Sequence, residues 1–222
     1  MTTELIPDEI QFAENPEPRC PCVLVVDVSS SMYGKPIDAL NEGLARFTEE
    51  LNNDPLAALR VEVAIITFGS TTEIAQDFVT ADQFEAPTLV ANGITMMGAG
   101  INLALTKIEE RKRMYRDNGI DYYRPWLFLV TDGTPTDSVD AASENLKRAE
   151  SEKRVAAFSV GVEGADMNLL TQISPRRPLM LKGLEFSSMF VWLSQSMSRV
   201  SASRTDDEIA LDTDGLSDWA AI

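Results

Sequence analysis

The sequence predicts an α/β domain: a doubly wound, mainly parallel sheet with helices on both faces and one antiparallel edge strand. Three observations carry this. Short, continuous apolar runs such as "CVLVVDV" (22–28) and "PWLFLVTD" (125–132) read as strands buried on both sides. Between them lie segments whose apolar residues recur at steps of three and four, the period of an amphipathic helix. The two patterns alternate along the chain, the order in which crossover helices connect parallel strands. A length of 222 residues suits one domain with extra segments, and 44% hydrophobic residues suffice for a core.

Taken in order, residues 1–19 carry several Pro and Glu residues and no helical period. They read as an extended arm with a short edge strand around Ile6–Phe12. The first buried strand is 22–28. "PIDALNEGLARFTEELNN" (36–53) follows, with Ile37, Leu40, Leu44, Phe47 and Leu51 on one helical face and Pro36 in the first turn. "RVEVAIITFG" (60–69) is the second strand, and the alternating "TEIAQDFVT" (72–80) is the edge strand. A helix over 98–119 stops at Asn118-Gly119. Next come a strand at 125–132, a helix at 140–154 with opposite charges on its exposed face, and a strand at 155–162. A short helix at 167–174, a last strand at 178–182 and an amphipathic helix at 186–200 complete the domain, which spans 20–200. Residues 201–222 form an acidic tail with Trp219 near its end, and its pattern does not decide between a mobile and a docked extension.

Composition narrows the function classes. The net charge of −16 repels polyanions, so neither nucleic acid nor an anionic membrane is an expected partner; cations and basic protein patches are. The chain has no histidine, which removes Ser-His-Asp and Cys-His catalysis and every His-based zinc site. Cys20 and Cys22 are the two cysteines. Two thiolates do not complete a structural zinc site, and a disulfide across one residue would be strained, so both are expected to be reduced thiols at the mouth of a strand. The opening "MTTELIPDEIQF" is acidic without an apolar run, and no apolar stretch reaches the ~18–20 residues of a membrane span. The expectation is a soluble cytoplasmic protein, monomeric on its own.

In open α/β sheets, ligands bind on the loops outside the carboxyl ends of the strands. Three polar clusters fall there: Asp27-x-Ser29-x-Ser31, "NGITMMGAG" (92–100) with Thr95, and "VTDGTPTD" (130–137) with Asp132. Together they offer carboxylates and hydroxyls, hard donors suited to Mg²⁺, Mn²⁺ or Ca²⁺. Residues two apart in an extended loop point the same way, so Asp27, Ser29 and Ser31 can converge. Each cluster alone has an ordinary reading: a helix-capping loop, a helix cap at Thr95, a turn at "TDG". Their joint placement at strand-to-helix junctions is the specific signal. Asp137 reads as the cap of the helix that follows it, Met96 and Met97 as core packing, and Asp38 as a solvated charge. "EERKRMYR" (109–116) reads as a solvated basic helix face, with a docking patch as the alternative.

These three motifs resemble the metal-ion-dependent adhesion site of von Willebrand factor A domains, a Rossmann-like fold, with the resemblance spanning 20–200. The segments "RCPCVLVVDVSSSM", "GKPIDALNEGL", "YYRPWLFLVTDGTPTD" and "FSVGVEGADMNLL" further resemble bacterial TerY/YegL-type proteins, associated with tellurium resistance and stress gene clusters. The resemblance implies that Asp27, Ser29, Ser31, Thr95 and Asp132 hold a divalent cation, Mg²⁺ before Mn²⁺ or Ca²⁺. It also implies a protein partner that supplies an acidic residue to the ion. In the TerY-type setting the implied partners are a kinase and a PP2C-like phosphatase, and the chain itself is not an enzyme. Two positions depart from the pattern: Ser30 stands where many relatives have Gly, and Met96-Met97 follow Thr95 where many have a second Thr. The residues alone leave two alternatives open, a Mg²⁺-dependent phosphohydrolase using Asp27 and a metal-independent scaffold. Against the first, Ser29 stands where many such phosphatases have a second Asp. An acidic residue from 206–218 is a candidate for covering the site in cis.

Overall fold

The computed structural model describes Phe12, residues 14–205 and residues 215–221. The edge strand expected around Ile6–Phe12 therefore lies outside the described residues except for Phe12, which is helical rather than extended. The strands are β1 (Cys20–Asp27), β2 (Val61–Phe68), β3 (Thr72–Thr80), β4 (Trp126–Thr131), β5 (Ala156–Gly161), β6 (Leu179–Leu181) and β7 (Ala220–Ala221). They form one sheet in the order β3-β2-β1-β4-β5-β6-β7. β1 pairs parallel with β2 and β4, and β5 parallel with β4 and β6. β3 is the expected antiparallel edge, and the other edge is closed by β7, antiparallel to β6.

Strand side chains alternate between two cores, which is why the strands read as unbroken apolar runs. Cys22, Leu24 and Val26 of β1 and Trp126, Phe128 and Val130 of β4 enter one core. Val23, Val25, Leu127 and Leu129 enter the other. The first is covered by α1 (Lys35–Asn52), α2 (Pro55–Arg60) and α6 (Phe186–Ser201), the second by α3 (Met97–Asp117), α4 (Asp140–Ser151) and α5 (Met167–Ile173). Periodicity does not reveal α2, because six residues are too few to show a period; Asp54, accepting from the backbone N–H groups of Leu56 and Ala57, starts it.

Part of the basic stretch 109–116 departs from its expected role. Arg111 and Lys112 are buried rather than solvated. Arg111 forks onto Glu62 of β2 at 2.8 and 2.9 Å, Arg19 reaches the same carboxylate at 3.0 Å, and Tyr115 donates to it as well. Phe12 caps this group, its ring 5.0 Å from the Arg111 guanidinium carbon. Cys20 and Cys22 are free, buried thiols on β1; burial pushes both up, Cys22 to about 12, which keeps them protonated and inert. At the C-terminus the described tail is docked. α7 (Leu216–Trp219) buries Trp219 against Trp192 of α6, with ring centroids 5.4 Å apart, and leads into β7.

Candidate functional site

β1 delivers Asp27 to the carboxyl edge of the sheet, fully buried. The chain then turns over its own side chain: the Ser29 N–H donates to Asp27 Oδ1 at 2.8 Å, and a 3-10 turn over Ser30–Met32 follows, anchored by buried Met32. This brings the Ser29 and Ser31 hydroxyls within 3.0 Å of each other. Ser31 donates onward to Asp132 Oδ1 at 2.7 Å, closing a chain of polar groups across 101 residues of sequence. Ser30 is exposed, and its N–H donates to the carbonyl of Gly93, tying this loop to the one that carries Thr95.

The parallel register pairs Val26 with Val130, so the next residues, Asp27 and Thr131, stand side by side. Thr131 Oγ1 donates to Asp27 Oδ2 at 2.5 Å. Sequence reasoning missed Thr131: alternation sets it on the face opposite Val130, but only the β1–β4 register places it beside Asp27. Thr95, buried in the loop before α3, is held by Thr136, whose hydroxyl accepts from the Thr95 N–H at 3.2 Å and whose backbone N–H donates to the Thr95 carbonyl at 2.9 Å. Thr95 Oγ1 and Asp27 Oδ2 both border Gly133. A Cβ placed there would sit 3.1 Å from the first and 3.4 Å from the second. Asp137 is a cap, but of α3 rather than of the helix that follows it: its two oxygens accept from the Gly98 and Ala99 N–H groups at 3.1 and 2.9 Å. Met97 is core, as its apolar type suggests, and Met96 is half-buried.

All five sequence-predicted residues thus lie at the carboxyl ends of β1 and β4 and the start of α3. Burial raises the pKa of Asp27, against the hydrogen bonds from Ser29 and Thr131, and the charge of Asp132 raises it further. Burial likewise raises Asp132, opposed by Ser31. Among the described residues no Lys or Arg pairs with either carboxylate. Nor are three His, Cys, Asp or Glu residues among them arranged so that they could hold a metal ion, so the donor set here is two carboxylates plus hydroxyls. That set fits a small hard cation and does not fit zinc. Tyr33, Val90 and Ile94 expose large apolar side chains on the loops at this end.

A mainly parallel α/β sheet with an oxygen-rich cluster on the loops that follow β1, β3 and β4 defines the class of fold. The chain belongs to the von Willebrand factor type A domain family, whose model matches residues 22–182. No curated protein matches this chain in sequence. Among solved structures, the pilus adhesin SpaC from Lactobacillus rhamnosus GG in its open conformation is similar at a TM-score of 0.67 and 16% identity, over 82% of this chain and 30% of that one. A von Willebrand factor type A protein from Catenulispora acidiphila is similar at 0.62 and 16%, over 82% and 43%. The vWF domain of the type V pili tip protein Mfa5 from Porphyromonas gingivalis is similar at 0.59 and 11%, over 87% and 99%. The chain spans less than half of the first two. These likenesses establish the fold; domains of this family are often interaction or adhesion modules.

Proposed function

We propose that the chain is a divalent-ion-dependent protein-interaction module. Asp27, Ser29, Ser31, Thr95 and Asp132 hold Mg²⁺, with Mn²⁺ or Ca²⁺ as substitutes, and a protein partner supplies an acidic side chain to the open position. The single observation that carries this reading is the joining of two buried carboxylates, which no Lys or Arg among the described residues pairs, to converging hydroxyls at the carboxyl edge of a parallel sheet. A bound cation would supply the positive charge that burial of Asp27 and Asp132 calls for, and would polarise the partner's carboxylate. Thr131 orients Asp27, while Thr136 and Asp137 fix the loop that presents Thr95. The apolar side chains of Tyr33, Val90 and Ile94 suit a protein surface better than a small polar substrate. The chain's lack of histidine supports gripping over catalysis. The TerY/YegL-type segments support the narrower reading of a cytoplasmic stress-response assembly with a kinase and a PP2C-like phosphatase.

Calorimetric titration with Mg²⁺ tests the site, and affinity capture from the native host, with Mg²⁺ or with chelator, tests its use. One ion per chain is expected, lost in Asp27→Ala, with partner recovery lost in parallel. Recovery indifferent to chelator and to Asp27→Ala overturns the metal dependence. Hydrolysis of phosphate esters with Mg²⁺, abolished by Asp27→Asn, would favour the phosphohydrolase instead.

A further inference from the structure

The second face of the sheet carries a feature that the metal site does not use. A groove of about 600 Å³ runs between α3 and α4, and Arg113, Arg116, Arg148 and Arg154 line it together with Glu109 and Glu110. Four positive and two negative groups give this lining a local charge of +2, in a chain whose net charge is −16.

The two glutamates are already matched: Lys112 and Arg154 sit 2.9 and 3.2 Å from Glu109, and Lys107 sits 3.4 Å from Glu110. The remaining arginines keep their charge. Arg116 bonds the neutral Tyr122 hydroxyl at 3.1 Å, Arg148 bonds the neutral Asn145 amide oxygen at 2.7 Å, and exposed Arg113 pairs with no carboxylate among the described residues. Arg113 and Arg116 lie one turn apart on α3, on one face, with Arg148 on the facing helix. Each guanidinium fork can take a carboxylate bidentately, and in an extended peptide the carboxylates of alternate residues share one face.

We propose that this groove docks an acidic peptide segment of a partner protein, gripped by Arg113, Arg116 and Arg148. The lining along α3 runs from Asn102 to Arg116, about 21 Å at ~1.5 Å per helical residue. That length holds about six residues of extended chain. A longer polyanion would have to continue over a surface that is acidic overall, so a short acidic segment fits better than nucleic acid. The arginine end lies well over 20 Å down α3 from Met97, beside which the metal site sits, at ~1.5 Å per residue. The groove therefore acts without the ion, and its failure and that of the metal reading are separable.

The test is fluorescence anisotropy with a labelled octapeptide of alternating Glu and Asp. Binding at low salt that weakens as salt rises is expected, as is a loss of at least tenfold in Arg113→Glu/Arg148→Glu. Asp27→Ala and chelator are expected to leave it unchanged. Both arginines are exposed, and the single variant Arg113→Glu, which breaks no ion pair, reports the same loss if the double variant unfolds. Peptide binding unchanged in the variants overturns the proposal. So does tighter binding of a single-stranded oligonucleotide of equal charge, binding confined to a phosphoserine peptide, or loss of peptide binding in Asp27→Ala.

Discussion

Glu62 sits fully buried in β2, a carboxylate inside an otherwise apolar run. It is tolerated because every lone pair is engaged: Arg19, two nitrogens of Arg111, and Tyr115 all donate to it. Its partners lie 43 and more residues away, so a strand pattern that looks only at neighbours reads Glu62 as an incidental charge. The same limit hid Thr131, whose role depends on the register between β1 and β4 rather than on its own motif. By contrast Asp27, Ser29 and Ser31 were legible because their spacing is local, and local spacing is what a sequence displays directly. At Glu62, removing one partner of a buried network costs more than the network contributes, because two guanidiniums lose their anion. Glu62→Ala is expected to lower unfolding stability by about 3–5 kcal/mol. Guanidinium chloride denaturation followed by circular dichroism measures this, and a loss under ~1 kcal/mol, the range of an exposed pair, would show that the network is slack.

At the scale of elements, long periodic helices and unbroken apolar strands were legible because burial on one face or both imposes those patterns. What periodicity does not encode is how one element is pinned to another, and α3 illustrates this. Its first turn packs so closely on the loop after β4 that a Cβ on Gly98 would lie 2.4 Å from the Ser138 carbonyl oxygen. Asp137, from that same loop, caps the Gly98 and Ala99 N–H groups, so the cap comes from 38 or more residues downstream in the chain. The close approach helps hold the loop in which Thr95, like Asp27, borders Gly133. Gly98→Ala must separate the helix from the loop, since the clash is with backbone rather than with a flexible side chain. It is expected to cost about 1–3 kcal/mol of stability and, on the metal reading, to weaken Mg²⁺ binding. Calorimetry beside thermal unfolding checks both, and a variant with unchanged unfolding temperature would show that the loop yields freely.

At the scale of the whole molecule, the C-terminal segment completes the sheet. β7 pairs with β6, the Lys182 N–H donates to the Trp219 carbonyl at 2.7 Å, and the indole of Trp219 fills space beside Trp192. A two-residue strand has no readable pattern, which is why the sequence did not decide between a docked and a mobile tail. Docking is driven by area rather than polarity: Trp219 is fully buried, yet its Nε1–H has no hydrogen-bond partner. Trp→Ala at a buried site typically costs about 3–5 kcal/mol, and an unpartnered buried donor offsets about 1–3 of that. Trp219→Ala is therefore expected to lower stability by about 2 kcal/mol, and Trp219→Phe, which keeps most of the ring and removes the stranded N–H, by clearly less. Because β7 covers only the β6 edge, amide exchange at Met180 and Leu181 is expected to quicken in Trp219→Ala before exchange in the central β1 does. Equal losses in the Ala and Phe variants would mean that the indole N–H is satisfied after all. Unchanged exchange at β6 would mean that the tail covers the edge without being held there by its tryptophan.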